Sequence, residues 1–328
     1  MQDLSTKYLG LELSSPVVAG SCGLTNSIDN LLAIEAAGAG AVVLKSVFEE
    51  EIYLEYAHEF HKLGPMDSNL EFLDYYDLEI RKDNLKQYLA LIAEAKAKLK
   101  IPVIASINCV TSQEWGFFAQ KIEAAGADAI ELNMFVLPSN LSQTSQDNES
   151  VYFDVITRVM RKVKVPVSVK LSPYFSNLGG MIRDLSFSEA KGLVLFNRFY
   201  SPDIDIEHQK VTGGSVLSNP SDYLLPLRWV GMMANRVNCD LAASTGIHNW
   251  QTVVKMLLAG AHVTQVVSVL YQNGFGAITE MNAKVSEWMS RNGYQSVEEF
   301  RGKLGLGNSV NPSEYERVQF MKTFGEYK

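Results

Sequence analysis

Three segments of the chain repeat one design: IEAAGAGAVVLKS at residues 34–46, IEAAGADAIELN at 122–133 and LLAGAHVTQVVS at 257–268. Each reads as the apolar end of a helix, an Ala-Gly-Ala turn, a short apolar run and a polar residue. Glycine directly after a helix adopts the left-handed conformation that ends it. The uninterrupted apolar run behind it suits a parallel strand covered on both faces. The repeating unit is therefore helix, turn, strand, and it delivers polar residues to the strand ends.

Eight such runs succeed one another: PVVAGS from Pro16, AVVLKS from Ala41, PVIASIN from Pro102, DAIELN from Asp128, PVSVKLS from Pro166, GLVLFNR from Gly192, DLAASTG from Asp240 and VTQVVS from Val263. Stretches with helical periodicity alternate with them, at 28–37, 83–99, 112–125, 150–164, 178–189, 223–235, 250–259 and 277–292. Eight alternations predict an α/β protein of the closed (β/α)8 TIM barrel type rather than an open doubly wound sheet. The alternating KYLGLELSSP at 7–16 predicts an N-terminal β-hairpin that plugs the barrel floor. With 328 residues, 47% of them hydrophobic, the chain can bury one large core. Residues 1–304 are expected to form a single barrel. The aromatic tail, 305–328, is expected to pack on the barrel or on the neighbour in a homodimer.

Two loops exceed the usual 2 to 6 or so residues, at 47–81 and 200–221, and both should rise over the C-terminal face as lids. A formal net charge of -8 argues against nucleic acid or an anionic membrane as partner and leaves small molecules as ligands. The three cysteines, Cys22, Cys109 and Cys239, have no C-x-x-C spacing, so neither a disulfide framework nor a zinc site is indicated. His58 and His61 lack the H-E-x-x-H spacing, and no metal is expected. The opening residues do not read as a signal peptide, and no apolar run approaches the roughly 18 residues of a membrane span. A cytoplasmic protein is expected.

The strand ends carry Ser21, Lys45 with Ser46, Asn108, Asn133, Lys170, Asn197 with Arg198, Thr245 with Gly246, and Ser268. Lysine is rarely buried without a partner. For Lys170 that partner is an anion or electron-rich ring at the mouth, or else a carboxylate such as Glu131. Lys45 faces the same mouth. The turns at Thr245-Gly246 and Val267-Ser268 lie where barrels commonly hold a phosphate on backbone N–H groups.

These residues, in this order, resemble the dihydroorotate dehydrogenase family, in a divergent branch. The likeness runs from LSTKYLGLELSSPVVAGS through AVVLKSVFEE, AIELN, VSVKLSPYF, LVLFNRFYSPDID, LPLRW and STGIHNWQTVVKMLLAGA to GYQSVEEFRGKL, nearly the whole chain. It implies a barrel that binds FMN noncovalently, the ring over the strand ends and the phosphate at the last two turns. By that resemblance Ser21, Lys45, Ser46, Asn108, Asn133, Lys170, Thr245, Gly246, Val267 and Ser268 would bind the cofactor. Asn133 and Asn197 would face the substrate, and Lys45 and Lys170 would serve the chemistry. A cation such as Lys170 beside the ring suits the negative charge that accompanies reduction.

The implied activity is an FMN-dependent CH–CH oxidoreductase similar to those converting dihydroorotate to orotate in pyrimidine biosynthesis. Two departures point to another substrate. The family carries a Cys or Ser base after the strand-four Asn, where this chain has Met134-Phe135-Val136-Leu137, none of which can take a proton. The family's Asn-Ser-Met-Gly corresponds only loosely to His61-Lys62-Leu63-Gly64. Ser139, Tyr200, Ser201 and Cys109 are the alternative bases nearby, and no motif designates the electron acceptor. Two rival readings are a barrel lyase or aldolase forming a Schiff base at Lys45 or Lys170, and a flavin-binding protein without turnover.

Overall fold

The computed structural model describes residues 2–48, 84–109, 115–199, 201–308 and 315. Eight parallel strands form the barrel: β1 (Val17–Ala19), β2 (Ala41–Val43), β3 (Val103–Cys109), β4 (Ala129–Met134), β5 (Val167–Leu171), β6 (Gly192–Leu195), β7 (Asp240–Ser244) and β8 (Val263–Val266). Each pairs with the next, and β8 closes on β1 through Thr264 opposite Val17 and Gln265 opposite Val18. The helices α1 (Ile28–Ala36), α2 (Asn84–Lys98), α3 (Trp115–Ala124), α4 (Ser145–Met160), α5 (Leu178–Ser186), α6 (Leu224–Met233) and α7 (Trp250–Ala259) follow strands one to seven. Short α8 (Ser268–Asn273) and long α9 (Gly276–Arg291) follow β8. No described helix is long and apolar enough to cross a membrane.

The repeated turns behave as their sequence requires. Gly38, Gly126 and Gly260 have φ of 89°, 100° and 120°, values that favour glycine because they bring a side chain against the following carbonyl. The glutamate shared by the first two repeats has a second task. Glu35 accepts from the backbone N–H of Lys100 and Ile101, and Glu123 from Lys164 and Val165. Each carboxylate thereby fixes the entry to the next strand but one, β3 for Glu35 and β5 for Glu123, at the barrel floor. Pro16, Pro102 and Pro166 begin strands where no N–H is needed, and their carbonyls accept from Thr264, Val42 and Ile130.

Two predicted boundaries move. Helix α4 begins at Ser145 rather than near 150, because Thr144 and Asp147 form a reciprocal capping box that starts it early. The end of β8 lies at Val266, and Ser268 already belongs to α8. Within the expected lid at 200–221, strands Pro202–Asp205 and Lys210–Gly213 form an antiparallel hairpin. Arg198 anchors its base by donating to the carbonyls of Ser215 and Val216, both at 2.8 Å. The lid predicted at 47–81 begins with Val47 and Phe48 paired with Ile107 and Asn108 of β3, and the segment 49–83, with the rest of that lid, His58 and residues 61–64, lies outside the described residues.

The core has two parts. The larger fills the layer between strands and helices. The smaller lies inside the barrel, where Tyr8, Leu9 and Leu13 pack on Val18, Val43, Ile104, Val194, Ala242 and Val263. These three belong to an N-terminal hairpin, Thr6–Tyr8 with Leu11–Leu13. Leu9 donates its backbone N–H to Asp240 at 2.7 Å, and Thr6 bonds to the His262 carbonyl. Tyr315, in the tail, donates its hydroxyl to the Leu304 carbonyl.

Candidate active site

Alternation along the strands sends Glu131 and Asn133 of β4, Ser168 and Lys170 of β5, Ser244 of β7 and Gln265 of β8 into the barrel above the apolar plug. Lys170 is 6% exposed. Its Nζ donates to Gln265 Oε1 at 3.0 Å and lies 3.6 Å from Glu131 Oε1, while Gln265 Nε2 donates to Glu131 Oε2 at 2.5 Å. The carboxylate partner weighed for Lys170 in the sequence is thus present, from below. The ammonium still reaches the mouth, where it lines a cavity of about 180 Å³ with Ser21, Asn197, Ser218, Thr245, Gly246 and Ser268 among others.

A second network ties the early strand ends together. Ser46, itself buried, shares its hydroxyl with Ser21 at 3.1 Å and with Ser106 at 2.8 Å, and accepts from Asn133 Nδ2 at 3.3 Å. Asn197 Nδ2 donates to Asn133 Oδ1 at 2.7 Å. Asn108 is buried and stands opposite Asn133 in the β3–β4 register. Lys45 is half-buried just past β2. Ser21, Ser46, Asn133, Lys170 and Asn197 therefore belong to one mouth.

At the other end of the cavity, Ser218 gathers the last two turns. Its N–H and its hydroxyl both donate to Ser268 Oγ at 2.9 Å, and the hydroxyl lies 3.0 Å from His248 Nε2. Thr245 and Gly246 both have positive φ, 79° and 75°. Thr245 Oγ1 donates to the Phe196 carbonyl at 3.1 Å, locking β7 to β6. Hydroxyls and backbone donors here, with no carboxylate among the described residues lining the cavity, suit an anionic group.

Ser218, His248 and the aromatic rim are absent from the sequence reading. Phe135 and Phe199 stack with centroids 3.8 Å apart, and Tyr174 meets Phe199 edge-on at 4.8 Å. Two of the rings stand two residues beyond an asparagine of the mouth: Phe135 after Asn133 and Phe199 after Asn197. Gln265 carried a visible signal, a polar residue midway along an apolar strand. Of the alternative bases, Ser139 and Ser201 are exposed, while Tyr200 and the Cys109 side chain lie outside the described residues. Cys22, beside Ser21, has its thiol pushed up by burial and is not an activated nucleophile.

The family model for dihydroorotate dehydrogenase matches residues 3–289. The chain belongs to the dihydroorotate dehydrogenase family. Within it, the chain is 27% identical to the catalytic subunit of dihydroorotate dehydrogenase B (NAD(+)) from Thermoplasma volcanium, over 92% of this chain and 98% of that one. It is 30% identical to the corresponding subunit from Pyrococcus furiosus, over 66% of this chain and 72% of that one. It is also 25% identical to subunit PreA of the NAD-dependent dihydropyrimidine dehydrogenase of Escherichia coli, over 99% of this chain and 84% of that one. Membership of this family makes the chain an oxidoreductase on a (β/α)8 barrel.

Proposed function

We propose that this family member is an FMN-dependent oxidoreductase acting on a CH–CH bond, and that its substrate differs from dihydroorotate. One observation carries the reading: one cavity joins a buried cation and Asn197, itself bonded to Asn133, at one end to the Ser218, Gly246 and Ser268 donors at the other. That polarity fits a ligand with an electron-rich ring and a phosphate, and FMN has both. When bound, FMN would supply a two-electron redox centre that no side chain here provides.

The chain's own residues have separable tasks. Ser218, Ser268 and the Thr245-Gly246 turn would hold the phosphate. Lys170, kept at the mouth by Glu131 and Gln265, would hold positive charge where reduction brings negative charge. Asn133 and Asn197, already bonded to each other, would orient the substrate with their remaining amide groups. Lys45, Ser21, Ser46 and Asn108 would complete the ring's support. The stacked Phe135 and Phe199 would press an apolar wall on the substrate and exclude water, with no proton acceptor at 134–137. That wall is what supports a substrate other than dihydroorotate, since oxidation of dihydroorotate needs a base at this strand end.

The ion pair at Lys170 favours this reading over a Schiff-base lyase, which needs a neutral amine. The relatives' names mark them as subunits, which supports an electron-accepting partner subunit for this chain as well. Purified protein is expected to be yellow and to release FMN on denaturation. Under anaerobic conditions dihydroorotate should leave the flavin oxidised, while a screen of dihydropyrimidine-like donors should find one that bleaches it. Rapid bleaching by dihydroorotate would overturn the substrate assignment. Colourless protein that binds no added FMN would overturn the whole reading.

A further inference from the structure

Three side chains from three elements form a chain of hydrogen bonds that ends at the cavity. They are His248 of the turn between β7 and α7, Ser218 of the loop after the lid hairpin, and Ser268, the first residue of α8. Ser218 and Ser268 line the cavity, and His248 stands behind them, outside the lining. Both serines are buried, so the hydrogens between them and the imidazole can be counted.

Ser218 has one hydroxyl proton, and it goes to Ser268 Oγ at 2.9 Å. Toward His248 Nε2, 3.0 Å away, Ser218 Oγ is then left only to accept. Nε2 must therefore carry a hydrogen. Ser268 Oγ receives both the hydroxyl and the backbone N–H of Ser218, which fills its two lone pairs. Its own proton is left over, and no acceptor for it stands among the described residues. The chain thus runs in one direction, from His248 through Ser218 and Ser268 to the cavity. With Nε2 bare the order would reverse. Ser218 would donate to the ring, Ser268 would donate to Ser218, and the cavity would meet lone pairs.

We propose that His248 is a positioning residue for the phosphate. Its Nε2–H holds Ser218 and Ser268 in the donor orientation, so that this end of the cavity favours an acceptor-only anion, and FMN over riboflavin. Bonds in such a chain also polarise one another and strengthen the last donor. The direction of the chain is a property of the protein alone; its service to the phosphate rests on the FMN reading.

Two-bond proton–nitrogen correlations of the full chain, carrying isotope-labelled histidine, read the tautomer at about pH 9, where ordinary imidazoles are neutral. Of the five histidine signals, that of His248 is the one lost in His248→Gln. It is expected to carry hydrogen on Nε2 and none on Nδ1, and the opposite tautomer overturns the proposal. Calorimetric titration then reads the phosphate. His248→Leu removes the donor and should weaken FMN binding about tenfold, the loss of one hydrogen bond to a charged group, while riboflavin affinity stays within about twofold. His248→Gln, whose amide offers an N–H at about the position of Nε2, should return FMN affinity to within about threefold of wild type. Equal losses for both flavins, wild-type FMN affinity in the Leu variant, or a Gln variant as weak as Leu would each overturn the positioning role. Protein that binds neither flavin sinks the cofactor reading and with it the service to the phosphate, and the tautomer still decides the direction of the chain.

Discussion

Gly246→Ala tests the phosphate end of the site. Gly246 has φ 75°, and a side chain in that left-handed region costs roughly 1–2 kcal/mol. The added Cβ would overlap the backbone N of Tyr223 and stand 2.6 Å from the Asp222 carbonyl carbon and 2.9 Å from Tyr223 Cα. These are backbone atoms, so no side chain can turn aside, and the segment must retreat by roughly 1 Å in a close-packed region. The same segment carries Ser218, whose two bonds to Ser268 join the turns. Losing one charge-assisted contact to a phosphate costs about 1.5–3 kcal/mol, so FMN affinity should weaken roughly 10- to 100-fold. Fluorescence titration of FMN onto apoprotein measures it. Gly293→Ala is the control, with φ 77° and no atom within 4 Å of the added Cβ. It shares the backbone strain without the collision and should leave FMN affinity unchanged. Wild-type affinity in a natively folded Gly246→Ala protein would refute the placement of the cradle, and equal losses in both variants would refute the collision argument.

Two further predictions concern the barrel floor. A Cβ at Gly192 would stand 2.5 Å from Leu9 Cδ2 and 3.3 Å from Tyr8 Cε2. Gly192→Ala should overpack the plug, cost about 1–3 kcal/mol and lower Tm, and an unchanged melting curve would count against a seated hairpin. Burial holds the His262 pKa below its ordinary 6.5, against the opposing pull of Asp240. A folded pKa below the unfolded one means that its stabilising contribution is complete above the unfolded value and is lost as pH falls through the folded one. Tm should therefore fall more steeply between about pH 7 and pH 5 in wild type than in His262→Gln. Parallel profiles would remove His262 from the account.

The barrel was legible in the sequence because its signal is periodic and local: glycines 38, 126 and 260 each follow a helix and precede an apolar run, and no distant residue is needed to read that. Lys170 and Asn133 were legible for the same reason, as polar ends of such runs. The pairing of Ser218 with Ser268 was not, because it joins a loop to a turn 50 residues away, and a serine in a loop carries no periodicity. Phe135 and Phe199 read separately as apolar residues after polar ones, and only the adjacency of their strand ends makes them a wall. The start of α4 was missed although Thr144 and Asp147 carried the capping signal, since hydrophobic periodicity begins only a turn later.

Closure of the barrel has a consequence for how the polypeptide is made. The first strand, at Val17–Ala19, pairs on one side with Ala41–Val43 and on the other with Val263–Val266, about 250 residues downstream. During synthesis one edge of that strand must wait for almost the entire chain to emerge, with its N–H and C=O groups unsatisfied. Exposed strand edges are templates for wrong pairing. A ribosome-stalled fragment ending before Val263 should therefore be prone to aggregate, and one that includes α8 should not.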